Sequence, residues 1–252
     1  MKTKTTACIS LILAFLTLGL FLTPGRGAAA QDIASLATFC AAAPAGTVKA
    51  LLAAARPGGR DLTPPVRQNG RNITSASELR LYDRILFGSY PQGAYGSEAP
   101  IEWYVIGKSG NSVTLLARYG LDSRPYHSKN RSVTWQNSEL YRWLNREFKD
   151  AAFTYEQQQS IPYAVTLLSA AEAGSLPADC RMCVPTDYAI ACGGSEDRCI
   201  WWLRDFSGTV YYCNRESANC AAAVSEWGEV VQPGFQINFH HKYVRPVVTI
   251  QF

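Results

Sequence analysis

The chain has 252 residues, with 24 basic and 20 acidic side chains and a formal net charge of +4. Three of the basic residues, Lys2, Lys4 and Arg26, lie in the first 30 positions, so the remainder carries 21 basic and 20 acidic residues and is close to neutral. This balance excludes the basic surface by which proteins bind nucleic acid or an anionic membrane. The 222 residues after position 30 suit one domain with a hydrophobic core and a small additional piece.

Residues 1–30 have the layout of a secretory signal peptide. A short basic region precedes an apolar run from Ile9 to Leu22, and Pro24 and the small residues Ala28–Ala30 follow it. The run has 14 residues, whereas a membrane-spanning helix needs roughly 20. We therefore expect an exported protein, secreted, periplasmic or at the cell surface, with no membrane span after cleavage. An uncleaved membrane anchor is the alternative.

Residues 31–59 are rich in alanine and predict two short helices with a proline- and glycine-containing break between them. Residues 38–62 resemble a single ankyrin-type repeat. A helical hairpin that packs on the main domain is the other interpretation, because a repeat solenoid needs about three copies. The polar, proline- and glycine-rich residues 60–77 predict a linker, so that the main domain spans 78–252.

The main domain begins with patterns typical of strands. Arg84–Tyr90 predicts one strand, and the apolar runs 101–106 and 113–117 flank Gly107–Asn111 in the manner of a hairpin. Helical patterns follow. The first helix is predicted to begin at Thr134, with an inner face formed by Leu140, Trp143, Leu144 and Phe148.

Two capping-box spacings, Thr154 with Gln157 and Ser169 with Glu172, predict further short helices on either side of a strand at 163–168. The last third predicts strands separated by long loops, at Ile200–Arg204, Thr209–Asn214, Glu229–Gln232 and Val244–Phe252. Helices in the first half followed by strands indicate the α+β class.

Six of the eight cysteines lie close together, at Cys180, Cys183, Cys192, Cys199, Cys213 and Cys220. In an oxidising compartment such a group is typical of a disulfide framework, whereas in a reducing one it suggests a metal site. The C-x2-C pair at 180–183 lacks the second such pair of a zinc ribbon. We therefore expect three disulfides, no metal and a free Cys40, with fifteen possible pairings left open.

Nine phrases in the main domain carry a family resemblance. They are FGSYPQ (87–92), IEWYVI (101–106), LD with Tyr126 (121–126), W-x-x-S-x-L-x-x-W-L-N (135–145), FTYEQ (153–157), LLS-x-x-EA (167–173), CVPTDYA (183–189), WWLR (201–204) and VRPVV (244–248). Over residues 80–252 they resemble a bacterial domain family of unknown function that occurs in secreted and surface proteins.

The closing pattern of that family is similar to the C-type-lectin-like fold of formylglycine-generating enzymes and variable receptors. The resemblance implies a loop-rich mixed sheet with two or three short helices, held by disulfides, with ligand-contacting loops on one face. Tyr243 stands where the pattern has glycine before Val-Arg-Pro, which predicts a different last turn.

Catalytic and metal-binding signatures do not occur in the sequence. Only three histidines are present, and there is no G-x-S-x-G motif. No cysteine follows Cys220, so the cysteine pair of formylglycine-generating enzymes has no counterpart near the final strands. The E-P-N, Q-P-D and W-N-D signatures of calcium-dependent lectins are also missing. We expect no catalytic residue, no metal and no cofactor.

Adjacent aromatic residues suggest where a ligand binds. Trp201 and Trp202 point to opposite faces of a strand, so one of them is exposed unless both faces are covered. An exposed aromatic row suits recognition, and burial under a second layer of loops is the equal alternative. The resemblance implies a ligand site on this strand and the final loops, with Phe239, His240 and His241 exposed beside Trp202 or Tyr212. The candidate ligand-binding residues are Trp202, Arg204, Tyr212, Phe239, His240 and His241.

The sequence thus predicts an exported, non-catalytic binding or surface-recognition module for a protein or carbohydrate ligand. Two alternatives stay open. An enzyme acting on envelope or extracellular polymer requires converging ionisable groups with shifted pKa values, whereas a structural accessory domain requires no sizeable open pocket.

We predict that the mature chain begins at Gln31. The basic region, apolar run and small residues before this position are the order that signal peptidase recognises. N-terminal sequencing of the exported protein should give Gln31 as the first residue. An intact Met1 on a membrane-bound product would contradict this prediction.

Overall fold

A computed structural model describes residues 66–195, 199–211 and 217–252 of the chain. The predicted signal peptide and the helical hairpin at 31–59 lie outside the described residues, as do Cys40, Tyr212 and Cys213.

The described residues form eleven strands and several short helices. The strands are β1 (Arg67–Gln68), β2 (Arg71–Asn72), β3 (Arg84–Pro91), β4 (Glu98–Ser109), β5 (Ser112–Ala117), β6 (Asp122–Ser123), β7 (Trp201–Tyr211), β8 (Ser217–Val224), β9 (Val230–Gln236), β10 (Tyr243–Val244) and β11 (Val247–Gln251). The α-helices are α1 (Glu139–Trp143), α2 (Lys149–Ala152), α3 (Tyr155–Gln159), α4 (Ala170–Ser175), α5 (Ala178–Arg181) and α6 (Asp187–Ala191). A π-helical segment, Leu144–Phe148, joins α1 to α2, and 3-10 turns lie at Ala76–Glu78 and Trp135–Asn137.

The strands form two sheets, with the orders β11-β5-β4-β3-β1-β2 and β6-β10-β7-β8-β9. Among the described pairs, only β7 with β10 is parallel. The predicted α+β class is confirmed. The strands expected in a loop-rich mixed sheet form two sheets. The two or three expected short helices are more numerous segments, because caps and the π-helical segment divide the helical stretches.

The predicted hairpin is formed by β4 and β5. Ile101, Trp103 and Val105 are buried and alternate with more exposed neighbours, as expected for a strand with one face on the core. The turn between the strands contains Gly110, whose φ of +56° is in the left-handed region that favours glycine. The sequence pattern and the turn residue therefore act together to set this hairpin.

The predicted inner helix face, Leu140, Trp143, Leu144 and Phe148, is buried as expected. The helix begins later than predicted, however. Thr134 precedes only a 3-10 turn and makes no side-chain cap, whereas the Ser138 hydroxyl accepts from the Tyr141 N–H and starts α1. Both predicted capping boxes are present, on α3 and α4. The strand predicted at 163–168 is reduced to a single bridge between Thr166 and Val247.

The described part of the predicted linker, 66–77, belongs to the folded domain. Asn69 and Gly70, both with positive φ, turn the chain between β1 and β2, and β1 pairs with β3. Val66, Ile73 and Ala76 are buried in the core. The polar composition of this segment reflects the outward-facing positions of a small hairpin.

Strand β7 joins two segments that were predicted as separate strands, and bulges in its pairing with β8 accommodate the intervening residues. Both faces of β7 are covered. Trp202 lies in the larger hydrophobic core, Trp201 lies in a second core beneath α4 and α5, and neither side chain is exposed. Of the two alternatives for the adjacent tryptophans, exposure or burial, burial therefore holds for both.

No helix in the described part of the chain is long and apolar enough to cross a membrane.

None of the described cysteines is at disulfide-bonding distance from another. The expected set of closed disulfides is therefore not present among Cys180, Cys183, Cys192, Cys199 and Cys220. Separate elements hold several of these residues: Cys180 is on α5, Cys199 precedes β7, and Cys220 is within β8.

We predict that Gly88→Ala destabilises the domain by about 3 kcal/mol, because the strain of a positive φ adds to the steric clash of the new Cβ. Gly88 has φ +71°, and a Cβ there would lie 2.6 Å from the Ala152 carbonyl oxygen and 2.7 Å from the Phe153 ring. Gly110→Ala is the matched control, since its φ is also positive but nothing lies within 4 Å; it should cost about 1 kcal/mol. Urea unfolding measures both, and equal losses would contradict the prediction.

Candidate ligand-binding cleft

Two segments lie side by side at the β6–β10 edge of the second sheet, and we call them the loop face: the first loop, residues 122–131, which begins with β6, and residues 237–242, which lead into β10. Three hydrogen bonds join them. The Ser123 hydroxyl donates to the His240 carbonyl at 2.9 Å, the Arg124 N–H donates to the Lys242 carbonyl at 3.1 Å, and the His127 N–H donates to the Ile237 carbonyl at 3.0 Å. Two backbone hydrogen bonds and one from a side chain thus hold the two segments of the loop face together.

Strand β7 holds the first loop of the loop face through two hydrogen bonds. The Trp202 indole N–H donates to the Arg124 carbonyl at 2.9 Å, and the Tyr126 hydroxyl donates to the Arg204 carbonyl at 2.8 Å. The Tyr126 and Trp202 rings also pack edge to face, with centroids 5.9 Å apart. The buried Trp202 therefore positions the first loop instead of contacting a ligand itself.

The loop face leads into an open cleft of about 580 Å³. Its walls carry a cation, two hydroxyls, an amide and an aromatic ring; the lining residues are Arg131, Ser132, Val133, Thr134, Asn137 and Phe206. Arg131 is the last residue of the first loop, four of the others lie between that loop and α1, and Phe206 comes from β7. A mixed set of directional polar groups and an apolar ring is typical of recognition sites.

Arg131 is held at the cleft by a buried histidine. Its Nε donates to His127 Nε2 at 3.0 Å, so the neutral His127 carries its proton on Nδ1, which faces Glu139 Oε1 at 3.8 Å. Glu139 accepts from the N–H and hydroxyl of Ser128, both at 2.9 Å. Burial lowers the pKa of His127, Glu139 opposes this shift, and the charge of Arg131 adds to it. His127 thus stays neutral and able to accept from Arg131.

Several buried polar atoms lack a hydrogen-bond partner in the described part of the chain. Among the described residues, five buried side-chain nitrogen or oxygen atoms have no hydrogen-bond partner, and these include His127 Nδ1, Ser207 Oγ and Asn238 Oδ1. His127 Nδ1 belongs to the residue that accepts from the cleft residue Arg131. Such atoms are rare in folded proteins, and they indicate places where water or a ligand completes the bonding.

The structure separates the predicted ligand-binding residues into three groups. Phe239, His240 and His241 are exposed on the loop face, and His241 Nδ1 lies 2.7 Å from the Gly193 carbonyl, beside the cysteine-rich segment. Trp202 is buried. Arg204 forms an ion pair with Glu172 at 2.5 Å and donates to the Leu167 carbonyl, so it fastens β7 to α4.

Sequence reasoning missed the cleft itself. The available signal was the run from Ser128 to Thr134, polar apart from Val133, which follows the Tyr126 phrase and precedes the helix. The run did not show that Phe206, some 70 positions later, closes the other wall. No group of three or more potential metal ligands is found within 66–195, 199–211 and 217–252.

A family model described as a domain of unknown function, DUF6273, matches residues 110–175. The matched segment contains the first loop of the loop face and the cleft residues Arg131 to Asn137. A comparison with curated proteins and a comparison with solved structures found no match.

We predict that His127 makes the stability of the domain fall between pH 7.5 and pH 5.5. Because its pKa is lowered on folding, the unfolded chain binds more protons in this range, and stability falls as pH falls below the unfolded pKa of about 6.5. The loss at pH 5.5 is at most about 1.4 kcal/mol. His127→Gln should flatten this part of the profile in urea unfolding, whereas His240→Gln, at an exposed site, should leave it unchanged. A steep profile in the His127 variant would refute the assignment.

Proposed function

We propose that this protein is an exported binding module whose cleft recognises an acidic carbohydrate. The carrying observation is the cleft of about 580 Å³ in which the Arg131 guanidinium lies with Ser132, Thr134, Asn137 and the Phe206 ring. Hydroxyl and amide groups match the hydroxyls of a sugar. The aromatic ring suits the apolar face of a sugar ring.

Arg131 supports the choice of an acidic ligand. A guanidinium recognises a carboxylate through two parallel N–H···O bonds. The bond from Arg131 Nε to His127 limits the rotation of the side chain, which lowers the entropy that is lost on binding.

Three further features belong to the same proposal. The signal-peptide layout of residues 1–30 supports export and a secreted, periplasmic or surface location. The α+β class and the loop face support a C-type-lectin-like architecture, and the nine phrases between 87 and 248 support a bacterial origin. The density of cysteines between 180 and 220 supports disulfide formation after export.

The two alternative functions make different predictions. A structural accessory domain needs no open pocket, and the cleft favours a binding role over it. An enzyme acting on polymer needs a titrating group that reaches the substrate, whereas His127 is wholly buried and engaged by Arg131.

Binding is measured by calorimetry with two hexasaccharides of equal length, one built from uronic acid and one neutral. We expect Arg131→Ala to lower the affinity for the uronic acid hexasaccharide about 10- to 100-fold, the effect of losing a charge-assisted hydrogen bond. The affinity for the neutral hexasaccharide should change little. Phe206→Ala should lower the affinity for both hexasaccharides. Arg80→Ala, an exposed arginine outside the cleft, is the matched control.

Each contrary outcome has a clear meaning. Equal losses in the Arg131 and Arg80 variants would show general charge attraction and overturn the cleft assignment. Absence of binding to either saccharide by the wild-type protein would refute the carbohydrate proposal. Release of shortened saccharide would favour the enzyme.

A further inference from the structure

The cysteine-rich region contains a pair of thiols that approach the same stretch of backbone. Cys183 lies in the segment between α5 and α6, Cys199 lies just before β7, and each thiol shifts the pKa of the other. Both reach the same stretch of backbone. Cys183 Sγ lies 3.7 Å from the Arg118 carbonyl oxygen, and Cys199 Sγ would lie 3.2 Å from a Cβ built on Gly120.

A buried arginine adjoins this pair. Arg245 is wholly buried; its Nε donates to the Ala117 carbonyl at 2.7 Å and its Nη1 to the Arg181 carbonyl at 3.1 Å. Its Nη2 has no hydrogen-bond partner among the described residues. A buried cation without a counter-charge is costly. The Ala117 carbonyl that Arg245 binds is next in sequence to the Arg118 carbonyl that Cys183 approaches, and the charge of Arg245 acts to lower the pKa of both Cys183 and Cys199.

We propose that Cys183 and Cys199 are a redox-active dithiol that closes to a disulfide by exchange with an external disulfide, with Arg245 stabilising the Cys183 thiolate. Cys183 is partly exposed and attacks, whereas Cys199 is buried and resolves. Both sulfurs approach residues 118–120, which favours the 183–199 pair over the C-x2-C pair.

The electrostatics agree with these roles. Burial raises the pKa of Cys183, but the hydrogen bond from Cys199 and the charge of Arg245 outweigh burial, and the pKa is lowered overall. Burial and the adjacent Cys183 raise the pKa of Cys199. The attacking sulfur is therefore the one that loses its proton first.

The thiol–disulfide exchange has two steps, in which atoms and electrons balance. The Cys183 thiolate attacks one sulfur of a low-molecular-weight disulfide RS–SR, the S–S bond breaks, and one RS⁻ leaves with a mixed disulfide on Cys183. Cys199 then loses its proton to the released RS⁻ and attacks the Cys183 sulfur, which expels the second RS⁻. The two protein thiols are oxidised by two electrons, and RS–SR is reduced to two thiols.

The test uses the full chain, purified with reductant and then treated with oxidised glutathione. Free thiols are alkylated, the protein is digested without reduction, and linked peptides are mapped by mass spectrometry. We expect a Cys183–Cys199 link in the wild-type protein and in the Cys180→Ala and Cys192→Ala controls. Reduction should lower the melting temperature by about 5–10 °C, as expected for opening a loop of this length.

Three variants separate the roles of the residues. Cys199→Ala should retain glutathione on Cys183, whereas Cys183→Ala should leave Cys199 unmodified because it is buried. In the Cys199→Ala background, Arg245→Gln should slow glutathione addition about tenfold by removing the cation beside the thiolate. A link from either cysteine to a different partner, or full alkylation of both after oxidation, would overturn the proposal whether or not the Arg245 variant folds.

Discussion

The arrangement of this domain depends on two adjacent indole groups on strand β7. Trp202 faces the larger core and donates to the Arg124 carbonyl at 2.9 Å, which holds the loop face. Trp201 faces the second core and donates to the Arg181 carbonyl at 3.1 Å, which holds the segment with Cys180 and Cys183. A single strand, buried on both faces, thus positions the cleft on one side and the thiol pair on the other.

The phrases that carry the family resemblance largely maintain this arrangement. Within 87–92, Gly88 lies against Phe153 and the Tyr90 hydroxyl donates to the buried Asp122 carboxylate at 2.8 Å. Arg204 of the WWLR phrase pairs with Glu172, and Arg245 of the closing phrase lies over the Trp201 ring at 4.9 Å. The recognisable residues are those that hold the scaffold, while the cleft is lined by the less distinctive polar run after Tyr126.

The sequence predicted the elements that depend on interactions between residues close together in the chain. The β4–β5 hairpin follows from alternating burial around a glycine turn, and the capping boxes at Thr154 and Ser169 occur where the spacing placed them. The β1–β2 hairpin was missed, although Asn69-Gly70 is a hairpin signal, because its two-residue strands are polar. The cleft and the thiol pair join segments far apart in the chain, and a single sequence contains no record of which distant segments meet.

Hydrogen exchange of Trp202→Phe and Trp201→Phe tests the central role of β7 most directly. Each variant removes one indole N–H and keeps an aromatic ring in the core. The account predicts that Trp202→Phe increases exchange in the loop face, at 122–131 and 237–242, and leaves 178–183 protected, whereas Trp201→Phe has the reverse effect. Equal loss of protection in both regions, or no local change in either variant, would contradict it.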